Sequence, residues 1–159
     1  SDDAMFVDNN PIVSHYSGGM PTSSPSLGLH DALGKGLKLI VADPRVNEMG
    51  KLADIHLPVK PGEDPALLAG MLNVIFTEKL YDQNFVAAHV DGVEELEAAV
   101  KSMTPEVAAK RAGVDKDELI KAARMFARWV FMASMLCSMK SISLFTWSAC
   151  NSFKATQDR

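Results

Sequence analysis

Three short apolar runs divide the first sixty residues: Ala4–Val7, Leu37–Ala42 and Ile55–Val59. The second run is the clearest, since five of its six residues are apolar and no polar alternation interrupts it. A continuous apolar run that ends in turn residues is typical of a strand buried on both faces of a parallel sheet. The pattern therefore predicts three strands, with Pro58 placing the third near an edge or a bulge.

The segment between the first two runs predicts a crossover. Residues 12–26 are polar and rich in Gly, Pro and Ser, and their length without periodicity makes them a candidate functional loop. Leu27–Leu33 then has helical spacing and is followed by Gly34 and Gly36. Strand, helix and strand form a βαβ unit, which is right-handed in nearly all proteins. The predicted fold class is α/β, with a Rossmann-like parallel sheet.

A run of helices is predicted after the third strand. Asp64 followed by Pro65 has the pattern of an N-cap with a first-turn proline, and Leu67 to Ile75 keep apolar residues at helical spacing. Further helix starts are predicted at Asp82, Gly92, Thr104 and Asp115.

The pattern changes near Arg128. Residues 129–159 contain both tryptophans and both cysteines, and charges are almost absent between Lys140 and Lys154. We therefore predict a partial dinucleotide-binding α/β domain over residues 1–128 and an atypical tail over 129–159, in which 141–146 could form a strand. The start at Ser1 rather than Met predicts a cut from a larger protein or a processed terminus.

Composition narrows the possible partners. The chain has 159 residues and a net charge of −4, with its Lys and Arg residues dispersed among acids, so nucleic acid is not expected as a partner. No apolar stretch is long enough to span a bilayer. Cys137 and Cys150 lack the spacing of a zinc or iron–sulfur site, and a reducing compartment suits them at least as well as an oxidising one. The sequence leaves open whether a longer parent protein is cytoplasmic or exported.

Each predicted strand is followed by a polar corner. In an open parallel sheet the carboxyl ends of the strands share one edge, where ligands bind. Carboxylates there suit ribose hydroxyls or the donor edge of guanine, and an arginine suits a phosphate. The three corners together predict a nucleotide ligand. The candidate binding residues are Asn9, Asn10, Pro11, Asp43, Pro44, Arg45, Gly62, Glu63 and Asp64.

Structural interpretations compete with this one. Asp43 alone has the pattern of a turn residue, Asp64 that of a helix cap, and Arg45 could pair with Glu48. The four histidines share no metal-ligand spacing, and no pair or triad resembles a nucleophile with its base. Only the coincidence of three corners favours binding.

The order of these motifs resembles the molybdopterin oxidoreductase family, which includes formate dehydrogenases, nitrate reductases and dimethyl sulfoxide reductase. The resemblance covers roughly residues 3–128 and rests on N-N-P, L-I-V-A-D-P-R and L-A-D-I-H-L-P-V-K-P-G-E-D-P, followed by E-K-L-Y-D-Q-N-F-V, M-T-P-E-V-A-A-K-R-A-G-V and D-E-L-I-K-A-A-R-M-F-A. It implies a metal, Mo or W, held between two pterin guanine dinucleotides. It also implies that the nine candidate residues line the pyrophosphate and guanosine of one dinucleotide.

The chain departs from the family pattern at two positions and in extent. Asp8 stands where relatives usually carry Gly, and Glu63 stands where Thr is common. The resemblance places the iron–sulfur segment and the metal ligand before this chain, and the second dinucleotide-binding domain after it. The implied partners are the rest of the catalytic subunit and electron-transfer subunits, and the implied reaction is a two-electron oxidation or reduction in the parent enzyme. We expect the fragment alone to be inactive.

Two alternatives stay open at this point. One is a non-catalytic relative, such as the large iron–sulfur subunit of respiratory complex I. The other is a generic nucleotide-binding α/β module unrelated to molybdenum.

Overall fold

The computed structural model describes residues 3–14 and 25–138, with the side chains of the second range described from 26 to 128. The predicted α/β class is confirmed, because a parallel sheet is followed by a run of helices. The strands are β1 (Asp3–Val7), β2 (Lys38–Ala42) and β3 (Ile55–Leu57). The helices are α1 (Pro11–Ser14), α2 (Pro25–Gly34), α3 (Glu48–Leu52), α4 (Asp64–Thr77), α5 (Gln83–His89), α6 (Val93–Val100), α7 (Pro105–Ala112) and α8 (Lys116–Ser138).

The sheet has the order β1-β2-β3, and both strand pairs are parallel. In the central strand β2, Val41 lies opposite Phe6 of β1 on one side and His56 of β3 on the other. A doubly wound sheet forms a ligand-binding crevice where its strand order reverses. The three described strands follow one another without a reversal, so they do not build such a crevice by themselves.

Strand β2 carries the core on both of its faces. Ile40 and Ala42 belong to a cluster with residues of α4, α7 and α8, whereas Leu39 and Val41 belong to a second cluster with Leu29 and Met49. Alternate side chains of β2 point to opposite faces of the sheet. Because helices cover both faces, the side chains on each face must be apolar. This explains the continuous apolar run in the sequence.

The predicted third strand is too long by two residues. β3 ends at Leu57, and the N–H of Val59 donates to the carbonyl of Leu57 (2.8 Å) in a tight turn around Pro58. A proline has no N–H to donate to a neighbouring strand, so pairing stops before it.

Most predicted helix starts are confirmed by their caps. Asp82 accepts from the N–H of Phe85, Thr104 from that of Val107, and Asp115 from those of Asp117 and Glu118. The predicted cap at Asp64 is wrong: the N-cap is Glu63, which makes no side-chain cap bond, and Asp64 is the first helical residue.

Two predicted segments extend beyond what the structure describes. Residues 12–14 of the predicted loop belong to α1 and residues 25–26 to α2, and residues 15–24 lie outside the described part of the chain. Helix α8 continues through the predicted domain boundary at 128 to Ser138, and the candidate strand 141–146 lies outside the described residues. The division at 128 stays a prediction.

Candidate functional site

The corner after β1 is built around an unusual backbone angle. Asp8 has φ of +51°, and its N–H donates to the carbonyl of Ala42 at the end of β2 (2.9 Å). Asn9 is exposed and Pro11 is buried. The carbonyl of Asn10, the residue before α1, accepts from the N–H groups of Val13 and Ser14 in that helix.

The side chain of Asn10 connects the first corner to the second. Its Nδ2 donates to Oε2 of Glu48 (2.8 Å). A hydrogen bond from the backbone N–H of Glu48, followed by the one from Asn10, holds the pKa of the Glu48 carboxyl below its ordinary value. Oδ1 of Asn10 is buried and accepts no hydrogen bond from the described residues. A buried acceptor without a donor is costly, so this atom is a candidate for an additional hydrogen bond.

The corner after β2 is organised by a buried carboxylate. Asp43 is only 3% exposed. Its Oδ1 accepts from the N–H of Arg45 (2.8 Å), and its Oδ2 accepts from Nδ2 of Asn47 (2.8 Å). Asn47 in turn caps α3, because its Oδ1 accepts from the N–H of Gly50 (2.9 Å). Asp43 therefore shapes this corner from within, as its structural interpretation predicted.

Arg45 extends away from that corner. Its side chain is 84% exposed, and Nε lies 3.7 Å from Oδ1 of Asp43. Pro44 is exposed beside it. Glu48 accepts its side-chain hydrogen bond from Asn10. The exposed guanidinium of Arg45 keeps most of its donors facing solvent.

The corner after β3 is a tight turn. The N–H of Glu63 donates to the carbonyl of Lys60 (3.0 Å), and Gly62 between them has φ of +84°. Pro61 followed by Gly with a positive φ is the sequence of a type II turn. Because the turn is already completed at Glu63, α4 begins at Asp64, one residue earlier than the cap pattern predicted.

The two carboxylates of the third corner have different surroundings. Oε2 of Glu63 accepts from Nε of Arg111 on α7 (2.6 Å). Oδ1 of Asp64 is buried and, among the described residues, accepts no hydrogen bond. Asp64 thus carries an unsatisfied acceptor at the start of α4.

The parallel sheet places all three corners at the carboxyl ends of its strands. The first two corners are joined by the Asp8–Ala42 and Asn10–Glu48 bonds. The second is joined to the end of β3 by the N–H of Asp43, which donates to the carbonyl of Leu57 (3.2 Å). The third lies further along the chain and is bonded to the end of α7 instead.

Three contributing residues were missed by sequence reasoning. Asn47 had a local signal, since it lies four residues after Asp43 and three before Gly50. Glu48 was considered only as a partner for Arg45. Arg111 had no local signal, because it lies 48 residues from Glu63.

The chemistry of these corners suits an organic ligand with donors and an anion. Two buried oxygens, Oδ1 of Asn10 and Oδ1 of Asp64, lack a hydrogen-bond donor among the described residues. The exposed guanidinium of Arg45 can bind a phosphate or carboxylate. Among the described residues no group of three His, Cys, Asp or Glu side chains could hold a metal ion. The described helices include none that is both long and apolar enough to cross a membrane.

The chain is similar to known proteins in sequence and in fold. Formate dehydrogenase H of Escherichia coli (strain K12) is 39% identical over 124 residues, which are 77% of this chain and 17% of that protein. Acetylene hydratase of Syntrophotalea acetylenica is 46% identical over 99 residues, which are 62% of this chain and 14% of that protein. The solved structure of acetylene hydratase from Pelobacter acetylenicus matches with a TM-score of 0.69 at 38% identity, over 79% of this chain and 16% of that one.

This chain therefore spans between 14% and 17% of the length of these relatives. The sequence pattern described as molybdopterin oxidoreductase matches residues 9–157, which include the three corners and continue into the predicted tail. On this match the chain belongs to the molybdopterin oxidoreductase family.

Proposed function

We propose that this chain holds the guanosine and pyrophosphate part of a molybdopterin guanine dinucleotide, carrying Mo or W, within a larger catalytic subunit. The proposed binding site is formed by the three corners, namely Asn9, Asn10, Pro11, Asp43, Pro44, Arg45, Gly62, Glu63 and Asp64, some of which contact the ligand and some of which hold the contacting residues in place. When bound, the metal–pterin group supplies the two-electron chemistry, and the chain's own residues bind and orient its nucleotide end.

The unpartnered Oδ1 of Asp64 carries this proposal. A buried carboxylate oxygen without a donor is rare in a folded protein, and a bound ligand is one of the few ways to satisfy it. The edge of guanine presents two adjacent donors, the N1–H and the 2-amino group. A carboxylate has two oxygens that accept such a pair, which an adenine edge does not offer.

The other corners suit the remaining parts of the dinucleotide. The exposed guanidinium of Arg45 can donate in pairs to the pyrophosphate. Oδ1 of Asn10 can accept from a ligand hydroxyl. The carboxylate of Asp43 has both oxygens bonded within the protein, so its role is to hold the backbone that presents Arg45.

The variety of reactions among the relatives supports a cofactor role. Their names include formate dehydrogenases, a thiosulfate reductase, a nitrate reductase and an acetylene hydratase. A segment shared by enzymes with such different substrates serves something that they have in common. The substrate of the parent enzyme would then be chosen by residues outside this chain, with the rest of the catalytic subunit and electron-transfer subunits as partners. The similarity of this chain to these enzymes does not favour the alternative of a non-catalytic relative.

Calorimetric titration of the 159-residue chain with three nucleotides tests the proposal. GDP carries the guanosine and diphosphate that the cofactor would present, IDP lacks the 2-amino group, and ADP lacks the N1–H donor as well. We expect GDP to bind about tenfold or more tightly than IDP, since a hydrogen bond to a charged group contributes about 1.5–3 kcal/mol. ADP should bind at least as weakly as IDP.

Asp64→Ala should remove the difference between GDP and IDP while circular dichroism shows an unchanged fold. The matched control is Asp117→Ala, which removes an exposed acid from the first turn of α8 and should leave the difference intact. Equal affinities for GDP, IDP and ADP in the parent chain would instead identify a generic nucleotide-binding module. Absence of binding at millimolar GDP would refute the proposal.

A further inference from the structure

The corner after β3 is fixed locally but needs anchoring to the rest of the protein. Pro61 and Gly62 set the shape of the turn, and the Glu63–Lys60 hydrogen bond closes it. A turn of this kind fixes backbone angles only over its own four residues. The position of Asp64 relative to the other corners therefore depends on what holds the turn in place.

The end of α7 supplies that anchoring through three contacts. The N–H of Lys60 donates to the carbonyl of Ala112 (2.9 Å), and Nε of Arg111 donates to Oε2 of Glu63 (2.6 Å). The side chain of Lys60 also lies over Gly113, so closely that a Cβ at Gly113 would be 2.6 Å from Cε of Lys60. Gly113 has φ of +76° and ends α7.

Helix α7 is in turn packed tightly on α4. A Cβ at Gly70 of α4 would lie 2.3 Å from the Cβ of Ala108 on α7, so the two helices approach as closely as glycine permits. The corner is thus held from both sides, because α4 begins in it and α7 ends against it. The Glu63–Arg111 pair is the side-chain connection in this arrangement.

We infer that Glu63 and Arg111 are positioning residues that hold the Lys60–Asp64 corner so that Asp64 meets the guanine edge. This inference rests on the proposed function and changes the expected role of Glu63. Its carboxylate faces Arg111, so it acts on the ligand through the corner and not by direct contact.

The pair has little to do with global stability. The side chain of Arg111 is 60% exposed and that of Glu63 is 30% exposed. Ion pairs this exposed stabilise a fold only weakly. A defect in nucleotide recognition without a comparable loss of stability is therefore the signature of a positioning role.

Affinities for GDP and IDP in variants of the pair test the inference. We expect Arg111→Ala and Glu63→Gln each to lower GDP affinity about threefold to tenfold and to reduce the GDP/IDP ratio, with the double variant no worse than either single one, as expected of coupled residues. Exchanging the charges in Glu63→Arg/Arg111→Glu should restore part of the GDP/IDP ratio. Thermal unfolding of each variant is measured in parallel.

Arg124→Ala is the matched control. It breaks the ion pair between Arg124 of α8 and Glu78 at the end of α4. The side chains of Glu78 and Arg124 are 33% and 59% exposed, nearly the same as those of Glu63 and Arg111. It should leave GDP affinity unchanged.

The outcomes separate the inference from the proposed function. If the parent chain prefers GDP over IDP but Arg111→Ala and Glu63→Gln keep that preference, the positioning role is wrong and the proposed function stands. If Arg111→Ala and Arg124→Ala lower GDP affinity equally, the effect is general and the inference is again wrong. If the parent chain does not discriminate GDP from IDP, the proposed function fails and the inference fails with it.

Discussion

The carboxylate of Asp43 and the side-chain amide of Asn47 are joined by a 2.8 Å hydrogen bond that closes the corner after β2. The same carboxylate accepts from the N–H of Arg45, and the same Asn47 caps α3. One buried side chain thereby connects the end of a strand, the exposed Arg45 and the start of a helix.

Asp43→Ala should lower the free energy of unfolding by about 2 kcal/mol, because two donors lose their acceptor in a site that is shielded from water. Urea denaturation measures this change. Asp91→Ala, which removes an exposed carboxylate, should have almost no effect. Equal stability of the two variants would show that the Asp43 bonds contribute nothing.

Asn47→Ala should lower the free energy of unfolding as well, by about 1 kcal/mol for the lost cap alone. The two substitutions should not be additive, because each removes the bond between Asp43 and Asn47. Strict additivity in the double variant would contradict a direct interaction between these side chains.

Asp8→Gly should stabilise the chain by up to about 1 kcal/mol. Asp8 has φ of +51°, a left-handed conformation that costs about 1–2 kcal/mol for residues with a Cβ, and part of this gain is offset by the greater flexibility of unfolded glycine. The variant should also bind GDP more tightly, since it removes a negative charge from the first corner. Unchanged GDP affinity would mean that Asp8 does not face the phosphates.

Gly70→Ala should destabilise the chain by about 1–3 kcal/mol, because the new methyl group would overlap Ala108 on α7. Thermal unfolding reports the loss, and adding Ala108→Gly should recover part of it. Gly28→Ala is the control: it lies in α2 with no heavy atom within 4 Å of the added Cβ, so it should be neutral or slightly stabilising. Similar effects of Gly70→Ala and Gly28→Ala would contradict the close approach of α4 and α7.

The Glu78–Arg124 pair should make stability depend on pH in the acid range. The hydrogen bond from Arg124 lowers the pKa of Glu78 from its ordinary value of 4.5. A carboxyl whose pKa is lower in the folded state adds stability that is complete above the unfolded pKa and is lost as the pH falls through the folded one. The parent should therefore be more stable than Glu78→Gln at pH 7, and the difference should shrink as the pH falls below 4.5 and vanish once the pH is below the folded pKa of Glu78. A difference that persists unchanged at low pH would show that the charge of Glu78 is not its cause.

Several features of this protein were determined by the sequence alone. Strands and helix caps depend on residues close together in the chain, so the apolar runs and the caps at Asp82, Thr104 and Asp115 predicted their elements. The common edge at which the three strands end followed from chain direction, because parallel strands all end on one side of the sheet.

Other features were decided only by the tertiary structure. The Glu63–Arg111 bond joins residues 48 positions apart, and the Gly70–Ala108 approach joins two helices with other elements between them. Contacts at such separations leave no periodic trace in the sequence, since they depend on how whole elements pack. The burial of Asp43, the free acceptor of Asp64 and the first residue of α4 depend on that packing too. Local patterns could place these residues on a strand end or a helix, but only packing decided which of their atoms are buried and which lack a hydrogen-bond partner.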